Sequence, residues 1–307
     1  MKHRRFSALW LYLLNDNEQT EPFPMKTLIL ADRPGQMGNM LILYAHFLAF
    51  CKKNDLKLVN PAFRPYEEYF SLQSSAFDHQ VKMSGLFRNY GISNLLLRLL
   101  RKSGFKSSLL RSFSIGHDTF YDLDEDMSIA SSEYNLISGW LFRGQGTFKE
   151  HIIPIRDYFR LSPVYEARLD DYFKAYVLAS NLIVGVHIRR GDYKDFEGGK
   201  HYHSNEVYAS YMRLTKDYFK RPTTFLICSN EAICHEDFKG LETISGPGEA
   251  VTDMYALSRC DLVIGPPSTF TIWGQLMTDV PLFQLGTLDF QEFEQELTRV
   301  RLRKIEL

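Results

Sequence analysis

The residues most able to do chemistry fall in one run, Gly185-Val186-His187-Ile188-Arg189-Arg190-Gly191-Asp192-Tyr193. An apolar, strand-like stretch ends abruptly there in a histidine, two arginines and an aspartate. Side chains alternate along a strand, so His187 and Arg189 share one face and Arg190 takes the other. Arg189 is then the guanidinium aimed at a ligand, a permanent charge whose fork of donors matches phosphate oxygens. The bland alternative is an Arg190–Asp192 ion pair that merely finishes the strand. A second run, Gly265-Pro266-Pro267-Ser268-Thr269-Phe270, follows the apolar Leu262–Ile264. Ser268 or Thr269 there opens a helix, where free N–H groups and a hydroxyl form either an anion site or an ordinary cap. Beside Arg189 it becomes a second clamp on a diphosphate. Asp253, in Val251–Ser258, is a carboxylate able to accept from the adjacent N1–H and N2–H donors of guanine, or else a solvated helix residue. Gly35-Gln36-Met37-Gly38-Asn39 sits at a first strand-to-helix turn, where glycines permit close ligand approach or simply a tight turn.

The elements that must position these residues read as alternating strands and helices. In the first half a strand Lys26–Ala31, a glycine loop, a helix Gly38–Lys53 and a strand Leu56–Asn60 form a βαβ unit. Leu41, Tyr44, Ala45, Leu48 and Ala49 recur at helical spacing and give that helix its expected apolar face. A less regular stretch follows, with helix-like leucines at 95–100 and a helix-like Lys149–Phe159. The second half gives strands at Leu182–His187, Thr223–Cys228, Leu241–Ile244, Leu262–Ile264 and Pro281–Gln284. Between them lie helices at Asn205–Tyr218, Glu249–Cys260 and Ser268–Met277, with a final amphipathic helix over about 289–302. This alternation predicts parallel sheets covered on both faces: an α/β protein of two Rossmann-like domains facing a cleft. Ligands then belong at the carboxyl ends of strands, beside helix amino termini. The boundaries expected are an extension over 1–24, a first domain over 25–165, a second over 166–290 and a terminal helix over 291–307.

Composition narrows the classes. The chain has 307 residues, 45% of them hydrophobic and 24% charged, enough for two domains with real cores and too apolar for a disordered chain. A net charge of −1 gives no bulk electrostatic reason to bind nucleic acid. Cys51, Cys228, Cys234 and Cys260 stand far apart, which argues against a disulfide framework or structural zinc and for a reducing, cytoplasmic setting. The start, MKHRR followed by a mostly apolar Phe6–Leu14, is far shorter than the roughly 17–25 residues of a membrane span. Asn15, Asp16, Asn17 and Glu18 follow it in place of a cleavage site, so a short amphipathic extension is expected.

Taken in order, these motifs resemble the alpha-1,2-fucosyltransferases of glycosyltransferase family 11. The resemblance is carried by GQMGN (Gly35–Asn39) with Tyr44-Ala45, Ser138-Gly139-Trp140, HIRRGDY (His187–Tyr193), CSNE (Cys228–Glu231), DMYALSRC (Asp253–Cys260) and STFTIWG (Ser268–Gly274). It implies a GT-B fold, GDP-beta-L-fucose as donor, and transfer with inversion that needs no metal or other cofactor. It also implies that Arg189 neutralises the departing GDP, that His187 contacts the nucleotide and that Asn39 faces the donor. Gly35, Gln36, Gly38, Arg190, Asp192, Ser229, Asp253, Ser268, Thr269 and Phe270 are then donor-binding. The acceptor expected is a hydroxyl of a galactose-like sugar in a surface glycan, conceivably lipid-linked. Two rivals stand beside this reading: use of another GDP-sugar, and an inactive nucleotide-sugar-binding protein.

Two short matches mislead. Asp122-Leu123-Asp124 spells the DxD of metal-dependent transferases, but lies in an acidic stretch that reads as a solvated turn. Arg190-Gly191-Asp192 spells an adhesion tripeptide, yet ends a buried strand. Between Gly85 and His117 stand six basic residues (Arg88, Arg98, Arg101, Lys102, Lys106, Arg111) and no acidic one. With the leucines at 95, 96, 97, 99 and 100 they form a basic amphipathic segment, read as a solvated helix beside the acceptor or as a peripheral contact with an anionic membrane surface.

Overall fold

Parallel pairing organises both halves of the chain. The computed structural model describes residues 25–82, 85–176, 181–286 and 290–300, and divides into two units, Met1–Arg160 and Leu161–Leu307. The expected extension over 1–24 lies outside the described residues, as do both ends of the expected final helix.

The first unit runs β1 (Thr27–Leu30), α1 (Met37–Lys53), β2 (Lys57–Val59), α2 (Tyr90–Ser103), β3 (Leu110–Ser114), β4 (Tyr121–Asp122), β5 (Tyr134–Ser138), β6 (Phe142–Arg143), α3 (Gln145–Glu150) and α4 (Ile152–Tyr158). Its main sheet has the order β2-β1-β5-β3, while β4 and β6 pair separately. The sequence did not suggest β3 or β5. Asn135 interrupts the apolar pattern of β5 because it is a buried fastener: its amide donates to the Ser132 carbonyl at 2.7 Å and its oxygen accepts from the Ser132 N–H. The helix α1 is buried all round rather than on one face. Opposite the sheet, Phe47 meets Phe142 at 5.3 Å and His46 meets Phe148 at 4.6 Å. The Tyr44 and Tyr158 hydroxyls bond at 2.9 Å. The helix expected over Lys149–Phe159 is two helices that part at His151. Pro154 has no N–H to continue a helix, and its ring would strike the carbonyl four residues earlier.

The second unit runs α5 (Pro163–Tyr176), β7 (Leu182–Ile188), α6 (Asn205–Phe219), β8 (Thr223–Ser229), β9 (Glu242–Ser245), α7 (Ala250–Ser258), β10 (Leu262–Gly265), α8 (Thr269–Thr278), β11 (Leu282–Gln284) and α9 (Phe290–Arg299). Its sheet has the order β11-β10-β7-β8-β9, with β7 at the centre. Val184, Val186 and Ile188 share a core with Phe225, Ile264, Tyr208 and Met212. Phe293 and Leu297 of α9 join it, so the terminal helix is part of this unit. Gly185 lets α7 pack close on the strand: a Cβ there would stand 2.8 Å from Leu257 Cδ2. The Asp261 carboxylate accepts from the Ile183 N–H at 2.8 Å and anchors the start of β7.

His46 gives the first unit a pH dependence. Burial, reinforced by the Arg143 charge, lowers its pKa to about 3. The Gly144 N–H donates to its Nδ1 at 3.2 Å. An unfolded histidine takes up a proton below about 6.5 while the folded one does not, so stability falls as pH drops from that value towards 3. His46→Gln is expected to show a smaller drop in Tm between pH 7 and pH 4.5 than the parent, measured by circular dichroism.

Candidate functional site

The side chains expected to do chemistry in the second unit collect at the carboxyl ends of β7, β8 and β10. His187, the penultimate residue of β7, is 4% exposed and stacks on Phe270 with ring centroids 4.9 Å apart and planes at 23°. Burial, with the Arg189 charge adding to it, lowers its pKa to about 3. It is therefore neutral near pH 7. Its Nδ1 is buried and has no hydrogen-bond partner among the described residues.

Arg189 lies one residue past β7, its guanidinium 5.3 Å from the centre of the Tyr193 ring. Asp192 pairs with Arg189 and not with Arg190 at this strand end. Both of its oxygens meet Arg189 Nη2, at 2.7 and 2.9 Å, which leaves Nη1 and Nε outside the pair. The arginine side chain is 17% exposed and the aspartate 62%. A pair open to water on the carboxylate side is worth at most about 1 kcal/mol, little enough for a more highly charged anion to displace.

Arg190 turns elsewhere, as alternation requires. Its guanidinium bonds the His203 carbonyl and Asn205 Oδ1, and lies 5.0 Å from the Tyr202 ring centre. Only 8% exposed, it braces the loop after β7, and its two terminal nitrogens are spent on the protein's own oxygens. Its backbone N–H donates to Asn230 Oδ1 at 2.8 Å. Sequence reasoning included Asn230 in the CSNE motif but gave it no role, although its place just after β8 was the available signal.

Ser268 is the N-cap of α8, and its Oγ accepts from the Phe270 N–H at 3.2 Å. Thr269 and Phe270, both half-buried, form the first turn. The Tyr193 hydroxyl donates to the Pro267 carbonyl at 2.6 Å, tying the arginine loop to this helix terminus. Ser229 ends β8 opposite Ile188 and accepts from the Glu231 N–H at 3.2 Å. Asp253, in the first turn of α7, is 7% exposed rather than solvated. Its Oδ1 accepts from the Gly248 N–H at 2.7 Å, and burial raises its pKa to about 6. A Cβ at Gly246 would lie 2.8 Å from that oxygen, so the loop backbone passes close over the carboxylate.

Gly35, Gln36, Gly38 and Asn39 gather in the first unit, at the turn from β1 into α1. Gly35 has φ +87°, and a Cβ there would meet Asn39 Nδ2 at 2.5 Å. Gln36 is the N-cap residue without a side-chain capping bond, and Asn39 is half-buried. Nearby, Asp32 follows β1 and accepts from the Ser138 hydroxyl at 2.7 Å, at the end of β5. The sequence reading passed over this carboxylate. Asp124, expected to be solvated, instead caps α3, accepting from the Gly146 and Thr147 N–H groups at 2.7 and 3.2 Å.

The structure thus has two parallel-sheet α/β units, the second carrying an arginine in the loop tied to a helix amino terminus. Residues 173–290, all within the second unit, match the model of Glycosyl transferase family 11. No curated protein sequence matches the chain significantly. Among solved structures, a mutant of Arabidopsis thaliana FUT1 in complex with GDP aligns with a TM-score of 0.61 at 13% identity, over 91% of this chain and 73% of that one. Fucosyltransferase NodZ from Bradyrhizobium aligns at 0.55 and 15%, over 86% and 96% of the two chains. POFUT1 aligns at 0.55 and 15%, over 86% and 98%. The fold is thus the α/β, GT-B-like class expected from the motifs.

Replacing Ser268 tests its capping role. Ser268→Ala is expected to cost about 1 kcal/mol of stability, read from the urea midpoint, whereas Ser268→Asp keeps the cap and loses little.

Proposed function

We propose that the chain is an inverting, metal-independent fucosyltransferase. It carries L-fucose from GDP-beta-L-fucose to a hydroxyl, O2 of a galactose-like residue, in a surface glycan. The observation that carries this reading is Arg189 on Tyr193, tied through Pro267 to the α8 terminus, within the stretch that matches family 11. NodZ, of the same fold, has been solved soaked with GDP-fucose. That enzyme is an alpha-1,6-fucosyltransferase, so the linkage assigned here rests on the motifs and not on the fold.

In the reaction the bond from the anomeric carbon to the phosphate oxygen breaks as the bond to the acceptor oxygen forms on the opposite face. GDP leaves with the electron pair and gains negative charge. A fixed guanidinium and the free N–H groups of a helix terminus stabilise that charge as it develops, which is where binding accelerates a reaction. Neutral His187 contacts the nucleotide without changing charge. Arg190 and Asp192 shape the loop rather than grip the donor. Asp253 accepts from guanine N1–H and N2–H. The acceptor hydroxyl gives up its proton to a general base as the new bond forms.

Arg189→Ala is expected to lower turnover by a factor of roughly 10²–10³, the scale for losing one transition-state donor. Arg189→Lys should fail as well, because a point charge does not replace the fork. Near-parent activity in either variant would overturn the mechanism. Ser268→Asp, its cap intact, should lose thermal stabilisation by GDP. In a thermal-shift panel of GDP, UDP and ADP sugars, GDP-fucose should stabilise most. Slow hydrolysis of GDP-fucose without acceptor would distinguish an enzyme from a binding protein.

Asp253 sets a second, separate test. Above its pKa of about 6 the carboxylate is charged and accepts two donors; below it, protonation removes that capacity. GDP affinity is therefore expected to be level above pH 7 and to weaken by up to about tenfold per pH unit below 6. Asp253→Asn should bind GDP weakly with a flat profile, measured by calorimetry.

A further inference from the structure

The helix α2 buries Ser93, Leu96, Leu97 and Leu100 against a core of Ile29, Val59 and Leu136. At about 100° per residue, Leu95, Arg98 and Lys102 project roughly 150–170° away from that buried stripe, and Leu99 about 110° away. Leu95 is 60% exposed and Leu99 55%. Just past the helix, which ends at Gly104 in the left-handed conformation, Phe105 is 55% and Leu109 42% exposed. Of thirteen large apolar side chains exposed among the described residues, five lie between positions 92 and 109, so this is a concentration and not the usual scatter. Arg98, Arg101, Lys102 and Lys106 are exposed in the same segment, which contains no acidic residue.

We propose that the outward face of α2 and the turn after it form a peripheral docking surface for an anionic phospholipid bilayer. Its leucines and phenylalanine enter the headgroup region, and its basic side chains lie level with the lipid phosphates. The chemistry selects this occupant. An apolar stripe flanked by cations is what an interfacial helix requires, since burial of apolar area and attraction to anionic lipid add together. A second copy of the chain would bring the four cations of each face against those of the other. Nucleic acid would meet leucines, where stacking on bases requires aromatic rings. Among the described residues no helix is long and apolar enough to cross a membrane, so the contact is one of surface only. The inference concerns where the protein works and does not depend on which sugar it transfers.

The test is co-sedimentation of the full chain with vesicles of phosphatidylcholine alone and of phosphatidylcholine with phosphatidylglycerol, without substrate. Binding is expected to the mixed vesicles only, and to fall as salt rises from about 0.1 M to about 0.5 M, where charges more than a few ångströms apart are screened. Arg98→Glu with Lys102→Glu, and separately Leu95→Ser with Leu99→Ser, should each lower vesicle partition by about tenfold or more while leaving Tm unchanged. The first residues of the chain, themselves basic and apolar, are intact in both variants and so do not account for a difference between them. Absence of binding by the parent, equal binding to neutral vesicles, or undiminished binding by the variants would overturn the proposal. So would sedimentation showing a dimer that either variant dissolves. Loss of vesicle binding with GDP-fucose turnover on a soluble acceptor retained would separate this surface from the transfer site.

Discussion

A guanidinium at the end of a buried central strand is the interaction on which the rest of this structure turns. The strand β7 is buried along its whole length, and its first polar atoms beyond the core belong to Arg189. Its position is not adjustable: Asp261 pins the start of the strand, α7 closes over Gly185, and Tyr193 fixes the following loop to Pro267. A charge held this way loses little freedom on meeting an anion, so most of the attraction is available to the ligand. The Asp192 pair does not cancel it. That carboxylate is 62% exposed and engages one nitrogen, so it orients the fork while the other donors stay unpaired by it.

Neutrality beside that charge is the second requirement. A protonated His187 would be repelled by Arg189 and would add a second buried cation. Burial removes the conflict by holding its pKa near 3, and the stack on Phe270 gives the ring a fixed plane. The two residues therefore differ in physical type, one a permanent charge and the other a neutral ring held in a fixed plane. Both are placed by the alternation of a single strand.

That alternation was legible in the sequence, as were the strands of the second unit, since buried parallel strands read as short apolar runs between turn signals. The partner of Asp192 was not. Gly191, at φ +61°, turns the chain into a short 3-10 helix, which brings Asp192 back to Arg189 and leaves Arg190 to the loop. No pattern of residue types records such a reversal. In the first unit, β5 escaped notice because Asn135 satisfies backbone groups from inside the core, and a buried amide looks on paper like the end of a strand. The all-round burial of α1 was hidden for a related reason. Its outer cover comes from Phe142 and Phe148, distant in sequence and carried on elements too short to show a period.

The two units also differ in what they keep. Likeness of fold to the fucosyltransferase structures spans 86–91% of this chain, yet the family match is confined to residues 173–290. On the proposed function, a nucleotide diphosphate presents the same charge and the same base whatever sugar chain receives the fucose, so the surface that holds it tolerates little variation in chemistry. An acceptor imposes no such uniformity, and a scaffold that has only to present it can change its side chains while keeping its sheet. The first unit holds a carboxylate that accepts from Ser138 and a helix whose outward leucines stand among cations. Asp32 lies just past β1 and the leucines on the outward side of α2, so the packing of the core fixes the backbone beneath them and leaves their own side-chain chemistry free to vary.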